Sequence, residues 1–491
     1  MMTYFYYECK RIIKSRKFVI ALVFVLLVYV FTIVEIKEDE QKSIEGNQIF
    51  EALNTNAFAK EVDTDQSDEV TYIDPQSMEL QSLFSELGVM DEKGFKENLT
   101  QDEAILVAYY ENLQTNNEAL LKNNKLTEQE RIDLYFEQAV FTTLFEYNKI
   151  SPLSGIDYSK QIAFVNRVAD EYGLKDVRKA LHSFKKEIRS VASQVGFTSD
   201  QFYRSQFQLR YAYEIYSNHI PELNPYSINS ATVLYQLTSN VLPVAIPAMV
   251  LLMFFNLFDK DKKQGTLKTI LIQPRRKTLS FDGKSIAGLW SSFLLVCIPM
   301  VLISGVLLFS DQANYNNYPM IIREREAMVV NPISNTSDVL EDLYYSGEVD
   351  SKTLHYGLSE YSPERYDLWD GTPTLNSDLV PLWQFNLLLF AAVICYLAFI
   401  YMLFTFINTV CNNRILACLL FVAIVVGGQY VTPLDTMYAG NVYNPFSYSN
   451  PIQNLQGTST FGWPYIYMVL PIYTVVLYVA GKVAYRFKRF Y

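Results

Sequence analysis

Histidine and cysteine are scarce, at three and five among 491 residues. His182, His219 and His355 form no HExxH or other metal-ligand spacing, so nothing points to a metalloenzyme. Cys9, Cys297, Cys395, Cys411 and Cys418 all sit in or beside apolar or basic segments. None falls in the long polar stretches, which must fold without disulfides. That suits a surface facing a bacterial cell wall better than a human extracellular domain.

Two further absences narrow the function. The long apolar runs contain no ionisable residue, whereas ion-coupled carriers and proton pumps commonly need some there. Energy for any transport is therefore expected from outside the chain. A nucleotide-binding loop is missing as well. Gly283-Lys284-Ser285 has the tail of a phosphate loop, but Thr278 stands where its first glycine is required, and no apolar strand leads into it. No acid pair or nucleophile motif suggests an enzyme.

Half the residues are hydrophobic, 15% are aromatic, and the net charge is −11. That combination implies membrane spans plus acidic soluble parts. Residues 1–17 are aromatic and basic. They read as an interfacial helix, with Tyr4, Phe5, Ile12 and Ile13 against lipid and the lysines in water. Residues 18–34 form an uncleaved first span, long enough at ~1.5 Å per residue to cross most of a ~30 Å hydrocarbon layer.

Residues 35–240 carry 34 acidic and 19 basic side chains and read as an α-helical outer domain. Thr100-x-x-Glu103, Thr127-x-x-Glu130 and Thr198-x-x-Gln201 are capping boxes. From Val177, the set Leu181, Phe184, Ile188, Val191 and Val195 predicts one helix, ended by Gly196. The aromatic cluster Phe202, Tyr203, Phe207, Tyr211, Tyr213 and Tyr216 reads as helix packing, with a peptide-contacting face as the sharper alternative.

Span two covers 241–258 and is bent by Pro243 and Pro247. Span three covers 286–309. A second outer insertion, 310–382, is acidic, and only Ser337–Tyr345 looks helical within it. Span four is 383–410, a cytoplasmic turn is 411–414, and span five is 415–431. Residues 432–462 carry one charge, Asp435, and are expected outside or dipping back as short helices. Span six is 463–481, and 482–491 form a cytoplasmic tail. With both ends inside, the inner segments hold 18 basic and 4 acidic residues; the outer ones hold 23 and 48. The short loops obey the positive-inside rule at every crossing.

The loop 259–285 is the most informative stretch. It holds eight basic residues and three acids between two apolar runs. Within it, Gly265 to Ile272 reads as a short amphipathic helix, with Leu267, Ile270 and Leu271 on one face and Pro274 as its stop. The pattern of charges, Gly265-Thr266-Leu267, Leu271, Pro274 and Arg276, then Gly283-Lys284 opening the next span, resembles the type 2 ABC transporter permeases. Lys268 stands where that family often has an acid. The resemblance covers the spans and short loops, and neither outer insertion.

The resemblance implies six transmembrane helices; with the residue patterns above, the expected fold is an all-α polytopic membrane protein with a large helical extracellular domain and a second smaller extracellular insertion. The resemblance also implies a bacterial exporter subunit in the cytoplasmic membrane, with both termini inside, moving an amphipathic peptide, antimicrobial or lipid-like cargo. Residues 1–17 would be its elbow helix. The loop would be its coupling helix, docking into separate ABC ATPase subunits that bind the ATP and Mg; this chain itself would hold no cofactor. A second permease unit and membrane lipid would be further partners, with no nucleic acid. A receptor or sensor with a ligand-binding outer domain, an envelope enzyme and a sodium-extruding permease are the alternatives.

Overall fold

The computed structural model describes residues 2–55, 75–91, 94–122, 128–149, 159–194, 200–218, 220, 228–255, 278–310, 315–323, 377–411, 413–431, 442–456 and 463–487. Two separate apolar cores organise them, one in an outer helical domain and one in a bundle of long apolar helices.

The chain starts with α1 (Met2–Ile13). A tight turn leads into α2 (Arg16–Thr55), where the Ser15 hydroxyl caps the Phe18 amide at 3.2 Å. Phe5, Glu8, Cys9 and Ile12 recur at helical spacing and turn toward the bundle, while Tyr6, Tyr7 and Ile13 stay exposed. This corrects the expectation for Ile12, which packs into protein rather than lipid. At ~1.5 Å per residue the 40-residue α2 extends about 60 Å. Only Arg16–Val34 is apolar enough to cross a membrane, so the polarity boundary after Val34 does not end the helix.

The outer domain comprises α3 (Pro75–Glu86), a small ladder of β1 (Met90–Asp91) and β2 (Gly94–Phe95), α4 (Gln101–Lys122), α5 (Glu128–Lys149), α6 (Ser159–Glu171), α7 (Lys175–Ser183), α8 (Lys185–Gln194) and α9 (Asp200–Ser217). The first capping box is closed in both directions. The Thr100 amide donates to Glu103 Oε2 at 2.7 Å, and the Glu103 amide donates to Thr100 Oγ1 at 3.3 Å. Thr127, Thr198 and Gly196 lie outside the described residues. Gly88 and Gly173 end α3 and α6 at φ of +59° and +74°, conformations that glycine enters without a Cβ clash.

The helix expected from Val177 onward is two helices, broken at Phe184 (φ −97°, ψ 19°). Ser183 Oγ donates to the Ala180 carbonyl at 2.8 Å, an alternative to the helical ladder that an apolar-spacing argument does not see. Helix α5 lies at the centre, against α6, α7, α8 and α9. Phe136, Phe141 and Phe145 on it are wholly buried, and each contributes roughly 1.5–3 kcal/mol of hydrophobic stabilisation.

The bundle holds α10 (Ser230–Gln236), a π-helical turn (Leu237–Val241), α11 (Leu242–Phe254), α12 (Thr278–Ser310), α13 (Leu382–Val410), α14 (Arg414–Val431), α15 (Pro451–Gln456) and α16 (Pro464–Phe487). Among the described residues, four helices are long and apolar enough to cross a membrane: Arg16–Val34, Thr278–Phe309, Leu382–Val410 and Pro464–Phe487. The chain is thus a membrane-embedded, largely helical protein. Thr232–Ser239 and Leu242–Phe254 form a further apolar pair bent by 64°. Helix α13 is the central post, packed against α11, α12, α14 and α16.

Helix α12 starts at Thr278, two turns before the apolar boundary at 286, so the polar run Ser280 to Ser285 is the base of a span rather than part of a loop. The ends of the second insertion are zipped by an antiparallel ladder, β3 (Pro319–Arg323) on β4 (Ser377–Pro381), with Ile321 opposite Leu379. Ser337–Tyr345 lies outside the described residues. Ile215 and Ile220 belong to the bundle core, whereas Leu209 and Ala212 belong to the outer one. Tyr216 packs against both and stacks on Phe136 at 4.9 Å, so α9 anchors the outer domain to the bundle.

Candidate functional site

Gly265, Thr266, Leu267, Leu271, Pro274 and Arg276 lie outside the described residues. The two ends from which their loop hangs are described, and both are held by one ring. Phe254, at the end of α11, meets the Tyr401 ring edge-on at 4.9 Å. Tyr401 Oη donates to the Lys284 carbonyl at 3.3 Å. Gly288, one turn further along α12, lets the ring in: a Cβ there would lie 1.9 Å from Tyr401 Oη. Lys17, at the start of α2, sits 5.3 Å from the Phe255 ring centre. Elbow, second span, third span and central post therefore converge where the basic loop begins and ends.

Beside the Tyr401 contact is a polar network centred on the buried Asp282. Asp282 accepts from Tyr478 Oη at 2.6 Å and from Lys482 Nζ at 2.8 Å, tying the base of α12 to the end of α16. Phe281 packs between Tyr478 and Tyr485, with centroids at 5.8 and 5.6 Å. A Cβ on Gly481 would come within 3.0 Å of that ring, so glycine sets the approach of the two helices. Lys284 is fully buried, and so is Glu8 on α1, which pairs with Arg11 at 2.7 Å. Buried charges are tolerated only with compensating partners, so these helices are held in register as well as packed.

Of the residues singled out in sequence, Gly283 and Lys284 are placed in the first turns of α12. The described residues directly before them, Thr278–Asp282, are turns of the same helix. Asp282, Tyr401, Tyr478 and Lys482 were not singled out. Asp282 and Lys482 are an isolated acid and an isolated base about 200 residues apart, and no local pattern joins them. Among the described residues no group of histidine, cysteine or acidic side chains could hold a metal ion.

A second polar node lies on the bent span. Pro247 has no N–H for the Pro243 carbonyl, and Pro243 has none for Ser239. Tyr396 Oη and Gln429 Nε2 each donate to the Pro243 carbonyl at 3.3 Å, and Asn450 Nδ2 donates to the Ser239 carbonyl at 3.4 Å. Side chains from α13, α14 and the segment before α15 thus replace the missing helical bonds. Gly428 admits the Phe446 ring beside them, since a Cβ would meet it at 2.1 Å.

In the outer domain, Lys149 is buried between Glu146, at 2.7 Å, and Glu79, at 2.5 Å. Burial pushes the Glu146 carboxyl above its ordinary value, and the lysine only partly offsets this. Burial alone would lower Lys149, but the two carboxylates outweigh it and raise it. Phe202 is wholly buried against Tyr147 and Ile162, and Tyr213 lies against Phe136 and Phe164, so these members of the aromatic cluster serve packing.

Comparison of the chain with family models, curated proteins and solved structures gives no match.

Proposed function

We propose that this chain is the transmembrane permease subunit of an ATP-driven ABC exporter in a bacterial cytoplasmic membrane. Six spans result when the bent pair counts as span two and Arg414–Val431 as span five. Both termini and the loop 259–277 lie inside; the outer helical domain and second insertion face out. A second permease unit completes the pathway, separate ATPase subunits supply the energy, and the cargo is amphipathic. The observation that supports this most is the convergence at Tyr401. Both ends of the basic loop are fixed there to the elbow and the central post, so force applied to the loop would reach several spans at once.

Leu267, Ile270 and Leu271 are the proposed docking anchors, each contributing roughly 1.5–3 kcal/mol if fully buried in a partner cleft. Lys268, Arg275 and Arg276 form the rim and tune orientation more than affinity. The test is Leu267→Asp with Leu271→Asp, which leaves the basic count unchanged. The variant should insert in the membrane yet lose its ATPase on purification, and lose transport. Normal insertion, partner retention and transport would refute docking. A receptor or sensor would never bring a nucleotide-binding subunit with it on purification.

A further inference from the structure

Residues 159–194, which hold α6, α7 and α8, reverse the sign of the outer domain. They carry eight basic and four acidic side chains, whereas the rest of 35–240 carries eleven and thirty. On α7 the excess is ordered. Val177, Ala180 and Leu181 turn into the outer core. Lys175, Arg178, Lys179 and His182 recur at i, i+3, i+4 and i+7, so they line the opposite face of the same helix. Lys175, Lys179 and His182 are exposed and Arg178 is half-buried. Two surface acids reach into this stripe, Asp170 to Arg178 at 2.7 Å and Asp176 to Lys179 at 3.5 Å. Pairs this open to water hold little energy that a ligand must displace. Among the described residues no acid pairs with Lys175. On α8, Lys185 and Arg189 stand one turn apart, and burial, with the Arg189 charge added, pushes the Lys185 ammonium below its ordinary value. Like charges are thus held together in a domain with acids to spare.

We infer that the α7 stripe binds a linear phosphodiester polymer of the cell envelope. Lys175 and His182 are two turns apart, roughly 10 Å along the axis. Their side chains leave the convex outer face of a helix, so they cannot close round one small anion. Charges repeated at every turn match a chain whose acidic groups also repeat. Arg grips phosphate with its planar fork, and Lys meets it as a point charge. The thirty acids elsewhere in the domain repel an acidic protein large enough to cover it, whereas a thin chain meets the stripe alone. The envelope as the polymer's source rests on the outward placement proposed above; the binding itself does not, and needs no ATPase partner.

The experiment titrates the full-length chain, purified in an uncharged detergent, into fluorescent poly(glycerol phosphate) and reads anisotropy. Binding should saturate, and should weaken at least tenfold between about 50 and 200 mM NaCl. Lys175→Gln with Lys179→Gln should weaken it at least fivefold with an unchanged circular dichroism spectrum. Lys37→Gln with Lys96→Gln, which removes the same charge from 35–240 off the stripe, should change it less than twofold. Polyglutamate of equal charge should bind more weakly than the phosphate polymer. No binding by the wild type, or equal losses in the two double variants, would overturn the inference. Equal affinity for polyglutamate would assign the stripe to an acidic peptide, and equal affinity for phosphatidylglycerol nanodiscs would assign it to a membrane face; either would overturn it too.

Discussion

Replacing Asp282 tests whether the base of α12 and the end of α16 are held by one buried carboxylate. Its side chain is 9% exposed and accepts two charge-assisted or short hydrogen bonds, from Tyr478 and Lys482. Breaking a fully buried ion pair by removing one partner costs about 3–5 kcal/mol. Lys482 is 37% exposed, so water partly replaces the lost carboxylate and the cost falls to roughly 2–3 kcal/mol for Asp282→Ala. Asp282→Asn keeps the volume and one acceptor, and should cost about 1–2 kcal/mol. Lys482→Met should cost less, on the order of 1 kcal/mol, because Tyr478 still donates to the carboxylate. The singles and the Asp282→Asn, Lys482→Met double form a cycle, read as thermal unfolding of the purified chain by intrinsic fluorescence. A coupling of about 1 kcal/mol is expected, with the double variant more stable than the sum of singles predicts. Strict additivity, or an unchanged melt for Asp282→Ala, would show that the carboxylate holds nothing.

Three other perturbations have definite outcomes. Raising the pH should destabilise the outer domain in two stages. Glu146 and Glu137 have folded values raised by burial above 4.5, so their contribution is fully present below that and is lost as pH rises through the folded values. Lys149 is raised above 10.5, so its contribution disappears only above that. A melt monitored by circular dichroism that stabilises between pH 5 and 8 would contradict the assignment. Gly288→Leu should destabilise by more than 2 kcal/mol or block membrane accumulation, and Tyr401→Ala in the same chain should recover much of the loss. No recovery would mean that the ring does not occupy the space above Gly288. Cysteines at Ser67 and Ser351 should react with an impermeant thiol reagent on intact cells, and one at Gln273 should not; labelling at Gln273 would invert the proposed topology.

How far the sequence could be read depended on whether the signal was local. Uncharged runs of about 20 residues and a Thr-x-x-Glu spacing are local, and the long apolar helices and the Thr100 capping box are where those patterns put them. Helix ends were less legible. Polarity changes at Val34 and again at Ile286, but α2 and α12 run straight through, because backbone bonds continue wherever side chains allow, whatever the solvent outside. Ile12 was misplaced for a related reason. Its spacing identified an apolar face, and only the bundle decides whether that face meets lipid or protein.

The polar contacts between helices were the least legible part, and the prolines explain why. Pro243 and Pro247 announce in sequence that two carbonyls on the bent span lose their helical donors. Nothing announces that Tyr396, Gln429 and Asn450, between 153 and 211 residues away, donate to them instead. The same holds for Asp282, whose partners follow at separations of 196 and 200. In a membrane interior every unmet backbone group must find a partner within the protein. A proline in an apolar run is therefore a prediction that a donor side chain exists in another span. Searching the remaining spans for isolated Tyr, Asn and Gln gives the short set from which it must come. That search would have pointed to Gln429, the only amide side chain among residues 415–431. It would not have reached Asp282, whose charged partner is a lysine at the end of a span, a position that ordinarily sits in water.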